Sequence, residues 1–104
     1  MNLTKALSEE FAPRGVRVNG VCRGPVLTPW WTDAEGAGDI IAAMTESDRD
    51  AVVTRLAPEM MQLSTGRLAV PQEIADAVAL LVSPRSASTT GTELVVDSGF
   101  LKAV

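Results

Sequence analysis

Side chains that commonly carry chemistry are scarce in this sequence. It has no histidine and no tyrosine, one cysteine at Cys22, and lysine only at Lys5 and Lys102. Within these residues the usual zinc constellations and every His-dependent triad are excluded, and proton transfer has no tyrosine to draw on. What remains is concentrated in Gly15 to Pro29, GVRVNGVCRGPVLTP, and in the pair Trp30 and Trp31 behind it. Val16, Val18, Val21 and Cys22 are apolar and largely β-favouring, and Gly24-Pro25 then breaks the run, as the C-terminal edge of a buried parallel sheet requires. Open α/β sheets place their ligands at that edge, and Thr28 stands just beyond it with a hydroxyl and an amide to offer. The plainer expectation is an ordinary turn with a solvated threonine. For the two tryptophans the alternatives are equally open: aromatic walls for an apolar substrate, or one ring in the core and one exposed.

Other candidates point to structure. Asn19, inside a strand, needs hydrogen-bond partners. Asp97 can accept from neighbouring backbone amides or meet Arg67. Cys22 reads as a small core residue and Met60-Met61 as gap filling.

These residues need elements to hold them. Leu3, Ala6, Leu7 and Phe11 fall at helical spacing before Pro13 and Gly15, so a helix feeds the strand at 16–22. From Pro29 to Met44 the pattern loosens around Gly36 and Gly38, predicting a mobile loop with at most a short helical turn. Thr45 and Asp48 have the form of a helix-start box, with Ala51, Val52 and Leu56 continuing on one face until Pro58. Pro71 to Ser83 predicts a helix: proline at its first position, Glu73 in its first turn, and an apolar stripe of Ile74, Ala77, Val78, Leu81 and Val82. After SASTTG, Leu94 to Val96 form a strand ending at Asp97. A strand, helix, strand order predicts parallel pairing through a right-handed crossover, with the 71–83 helix packed across the pair. No repeat, low-complexity segment or linker divides the chain, so 1–104 is expected to be one partial domain.

Composition narrows the partners. Nine basic against thirteen acidic residues give a net charge of −4 over 104 residues, and the arginines are scattered, which argues against nucleic acid. No apolar run approaches the roughly 20 residues that span a bilayer, so no membrane is expected. A single cysteine with no internal partner suits a reduced compartment, and cytoplasm is the expected location.

Three segments in order, LTKALSEEFAPRGVRVNGV, RGPVLTP and GRLAVPQEIADAVALLVSP…TGTELVVDSG, resemble the short-chain dehydrogenase/reductase family. The resemblance covers nearly the whole chain and implies an α/β fold: the C-terminal part of a Rossmann-like doubly wound sheet, with two parallel strands and crossover helices. It implies that Gly24 and Pro25 shape the approach to NAD(P), that Val26 and Thr28 bind the nicotinamide carboxamide, and that Trp30 and Trp31 begin the substrate-covering loop. The family's glycine-rich phosphate turn, serine and Tyr-x-x-x-Lys correspond to sequence ahead of Met1, so no catalytic residue and no metal ligand is assigned here. Carbonyl or alcohol hydride transfer is therefore expected of the family, while this chain alone is expected to be inactive and not to bind NAD(P). Family members commonly form dimers and tetramers, which makes a homo-oligomer or a complementing N-terminal segment the expected partner. The alternative is a non-catalytic oligomerising or interaction fragment, or a truncated reading frame. Two departures fall inside the match: Arg23 where the family usually has proline, and Ser98 where it usually has glycine.

Overall fold

In the computed structural model, which describes residues 2–102, the elements follow in the order α1 (Asn2–Phe11), β1 (Gly20–Arg23), α2 (Pro29–Thr32), α3 (Ala37–Thr45), α4 (Arg49–Ala51), α5 (Ala57–Met60), α6 (Pro71–Val82) and β2 (Glu93–Val96). They build two compact units, Met1–Arg23 with Gln72–Val96 and Gly24–Pro71 with Asp97–Val104.

The first unit holds the sheet. Pro13 tightens the end of α1 into a 3₁₀ turn over Ala12–Arg14, and Gly15 closes it in the left-handed region at φ 73°, where glycine has no Cβ to clash. β1 and β2 then pair in parallel, with Gly20 opposite Glu93 and Arg23 opposite Val96, as the crossover order requires. Regular pairing starts later than residue 16. Over 16–19 the chain is tied down piecemeal: Gly91 N–H donates to the Val18 carbonyl at 2.8 Å, and Val18 N–H donates to Thr90 Oγ1 at 3.1 Å. Asn19 acts structurally, its Nδ2 donating to the Thr89 carbonyl at 3.0 Å and its Oδ1 accepting from Thr92 N–H at 3.1 Å. Arg17 clamps the end of α6 by donating to the carbonyls of Ser83 (3.3 Å) and Thr89 (3.1 Å) and to Ser86 Oγ (3.2 Å). Cations are favoured at that negative end of a helix. α6 forms where its stripe predicts, but none of its residues is buried; Val78 and Val82 keep 44% and 73% of their surface.

Every buried apolar residue among those described lies in the second unit. Trp31, Ala42, Val52, Ala57, Leu63 and Leu68 form one cluster, flanked by half-buried Leu27, Ile41, Val53 and Leu56. Three local expectations are corrected here. Residues 37–45 are a helix and no loop, because Gly36 and Gly38 mark close backbone approaches: a Cβ on Gly36 would stand 2.8 Å from the Trp30 carbonyl oxygen, and one on Gly38 would overlap that of Trp31. The next helix is capped by Asp48, whose carboxylate accepts from Ala51 N–H at 2.8 Å, while Thr45 closes α3 with its hydroxyl on the Ile41 carbonyl. Nor does Pro58 stop that helix. The chain widens over Val52–Leu56 into π-helical turns, with Ala57 N–H reaching Val52, which absorbs a proline that cannot donate and crowds the carbonyl four residues back.

Candidate functional site

Gly24, Pro25, Val26, Thr28, Trp30 and Trp31 all belong to the second unit and can be placed against one another. Gly24 opens the segment where there is room for nothing larger: an added Cβ would lie 2.7 Å from Cβ of Asp97 and 2.8 Å from its Cα. Asp97 is fixed in turn. Its buried carboxylate accepts from the amides of Gly99 and Leu101, each at 2.9 Å, and those backbone donors, Leu101 first, lower its pKa against the opposing effect of burial. Arg67 donates from its Nη1 to the Leu68 carbonyl at 3.1 Å.

Val26 forms a single parallel bridge with Ala69. The bridge is made by Ala69 N–H donating to the Pro25 carbonyl at 3.3 Å and Leu27 N–H donating to the Ala69 carbonyl at 2.7 Å. Alternate peptides of an extended chain face opposite ways, so the N–H and C=O of Val26 point away from Ala69. Two residues on, Thr28 is the N-cap residue of α2, and its carbonyl accepts from Trp31 N–H at 2.9 Å. Threonine commonly caps through its hydroxyl, yet here the side chain makes no cap bond. The segment therefore offers a peptide N–H, a peptide C=O and a hydroxyl two residues apart, the donor and acceptor set an amide-shaped ligand needs.

The tryptophans separate. Trp31 is 3% exposed in the core cluster and Trp30 is 66% exposed, their rings edge to face at 4.9 Å. Only Trp30 has a face for anything outside the protein. It walls an open depression with Pro29, Gly36, Ala37 and Ile40, rimmed by Asp33 and Glu35. A pair that residue-type reasoning passed over stands behind this rim: Arg49 grips Asp39 through two bonds of 2.7 Å. Only their ten-residue separation, spanning a stretch that reads as loop, hid the pair.

In the other unit, Cys22 Sγ donates to Glu93 Oε2 at 3.2 Å. That bond, then burial, raises the thiol pKa, while Thr4 and Cys22 lower that of Glu93, whose buried Oε1 has no hydrogen-bond partner among the described residues. A protonated thiol beside a carboxylate is a poor nucleophile. Among the described residues no group of three His, Cys, Asp or Glu side chains could hold a metal, and no helix is long and apolar enough to cross a membrane.

The chain is similar to proteins of known family. Residues 1–101 match the family described as enoyl-(acyl carrier protein) reductase. The chain is 39% identical over 102 residues to the short-chain dehydrogenase anuF of Penicillium roqueforti, covering 95% of this chain and 31% of that protein. It is 36% identical over 99 residues to the oxidoreductase UcpA of Escherichia coli, covering 95% and 34%. An NADPH-bound short-chain oxidoreductase from Pseudomonas aeruginosa with an atypical catalytic centre superposes at TM-score 0.79 and 35% identity, over 99% of this chain and 36% of that one. L-sorbose reductase from Gluconobacter frateurii, in complex with NADPH and L-sorbose, superposes at TM-score 0.83 and 27% identity, over 99% and 37%. The chain thus spans about a third of the length of the relatives it matches.

Proposed function

The chain belongs to the short-chain dehydrogenase/reductase family, and on that footing we propose that it supplies the nicotinamide-binding end of an NAD(P)-dependent oxidoreductase. The supporting observation is the Val26–Thr28 segment, whose bridge to Ala69 uses Pro25 and Leu27 and leaves the Val26 peptide facing the other way, with the Thr28 hydroxyl making no cap bond. These groups would hold a carboxamide, Val26 N–H as donor to its oxygen and the Thr28 hydroxyl as acceptor from its nitrogen. The chemistry that a nicotinamide held there would supply is hydride transfer to a carbonyl carbon. Gly24 and Pro25 shape the approach, and Trp30 is the residue of the following loop with a face for substrate. The accompanying proton has no tyrosine in this sequence to come from, and no glycine-rich loop here cradles the pyrophosphate. This chain alone is accordingly inactive, and its binding of the cofactor is undetectable or very weak. Its single unpaired cysteine supports a cytoplasmic setting.

Purified chain mixed with NADH or NADPH and a panel of ketones should give no absorbance loss above background, with no heat of cofactor binding by calorimetry. Adding a relative's N-terminal segment, which carries the phosphate turn and the Ser/Tyr/Lys set, should restore turnover that Thr28→Ala then lowers by roughly fivefold to thirtyfold, the worth of a lost bond of about one to two kcal/mol. Turnover indifferent to Thr28→Ala would sink the clamp.

A second reading, an oligomerising module, draws on a different observation. The sheet unit contains no buried apolar side chain among its described residues, and Val16, Val78, Val82 and Val95 stand exposed. Two strands are too few for an independent sheet, and association of two copies would cover them.

A further inference from the structure

The turn between α2 and α3 is held by a side chain from the next helix. Arg49 Nε donates to Asp39 Oδ1 and Arg49 Nη2 to Asp39 Oδ2, both at 2.7 Å, so the guanidinium and carboxylate meet as a fork, the geometry that fixes orientation as well as distance. Asp39 lies in the first turn of α3, and its Oδ2 also accepts from Glu35 N–H at 2.9 Å. Glu35 occupies the left-handed region at φ 61°, a costly conformation for a residue with a side chain, which persists only where the surroundings impose it. Here the imposed bond is the one to Asp39. The same turn is closed by Gly36 N–H on the Asp33 carbonyl at 3.0 Å, and Gly36 lies against the Trp30 carbonyl. The Arg49 stem packs beside Gly38, where an added Cβ would lie 2.9 Å from its Cγ, and Gly38 in turn abuts the Trp31 carbonyl. A continuous path therefore runs from Arg49 through Asp39 and the Glu35 turn to the backbone that carries both indoles.

We propose that Arg49, acting through Asp39, is the positioning residue of the Trp30 wall, holding the α2–α3 turn in one geometry so that the depression beside Trp30 is preformed. This rests on the reading of that loop as the substrate side of the site. The fork excludes alternatives that a mobile loop would allow. Lysine at position 49 keeps the charge but has a single point of attachment, so it does not orient the carboxylate. Ala37, Ile40 and Trp30 then lose their fixed spacing, because Glu35 is free to leave the left-handed region and the turn opens.

The test uses the chain itself without cofactor, so its outcome is independent of whether the Val26–Thr28 clamp binds nicotinamide. Two readouts are followed in Asp39→Asn, Arg49→Lys and wild type: amide exchange at Glu35 and Gly36 by NMR, and the exciton couplet of the edge-to-face indole pair in circular dichroism, identified by its loss in Trp30→Phe. The expected result is exchange at Glu35 faster by at least tenfold in both variants, with a diminished couplet, while the slowest amides of the Val52 core exchange as in wild type. Unchanged exchange at Glu35 in either variant overturns the proposal. So does acceleration that is equal at Glu35 and in the Val52 core, since that is the signature of general destabilisation. If Asp39→Asn fails to fold, Arg49→Lys alone decides on the same criteria.

Discussion

Gly24 and Asp97 approach so closely that a methyl group on the first would lie 2.7 Å from the β-carbon of the second. The obstruction is main chain as well as side chain, since the Asp97 Cα is 2.8 Å away, so neither residue can turn aside. Gly24→Ala should therefore destabilise by about 1–3 kcal/mol, the usual cost of forcing extra volume into a packed site. Gly66→Ala gives the contrast. Its φ is 76° with nothing within 4 Å, so only backbone strain of about 1 kcal/mol is expected. Denaturant melts of the two variants separate the causes: a Gly24→Ala loss no larger than that of Gly66→Ala would show that the site relaxes.

The indole pair predicts a wide asymmetry. Trp31→Ala removes a ring that is 3% exposed and should cost about 3–5 kcal/mol, the range for a buried aromatic. Trp30→Ala, at 66% exposure, should cost only about 0.5–1.5 kcal/mol, the worth of its edge-to-face contact with Trp31. Urea titration followed by far-ultraviolet circular dichroism checks both.

Ser98 occupies the left-handed region at φ 56°, at the position where the family usually has glycine. Relieving that strain should let Ser98→Gly raise stability by about 0.5–1 kcal/mol, the strain of 1–2 kcal/mol less the extra freedom glycine brings to the unfolded chain. The Ser98 carbonyl, which accepts from Thr65 N–H, is unaffected by the change. A lowered melting temperature would contradict it.

Hydrogen bonds from Arg49, then from the Glu35 backbone, lower the Asp39 pKa from 3.8 to about 2. A depressed carboxylate contributes stability that is complete above its unfolded value, near 4, and disappears as the pH falls through the folded value. The α2–α3 turn should thus be unchanged from neutral pH to about 4 and loosen only toward pH 2. Asp97, lowered by its backbone donors, adds acid sensitivity of the same sign. Amide exchange at Glu35 against pH, compared with Asp39→Asn, measures the first of these.

Association is the expected state in solution. Sedimentation at micromolar concentration should give a species larger than the 11.0 kDa monomer, and Val82→Asp or Val95→Lys should shift it toward monomer. A cooperatively melting wild-type monomer would remove the second reading of function.

Local physics carried much of the reading. β-branched runs separated by a Pro-started helix dictate two parallel strands, and the order of the three family-like segments is enough to identify the lineage, because period, punctuation and chain order are properties of sequence. The chemistry missing from these residues, tyrosine and histidine above all, is equally legible. Gly36 and Gly38 are where that reasoning fails: as local signals they break a helix, but in the fold they let α3 press against the carbonyls of Trp30 and Trp31. Likewise Pro58 stops a helix only if the turns before it cannot widen, and Val52–Leu56 do widen, around Val52, the most buried side chain among the described residues. Which tryptophan faces water and that Arg49 holds Asp39 were decided by tertiary packing. Such contacts join residues whose spacing carries no period, so tertiary structure alone selects among choices that local energetics leaves nearly equal.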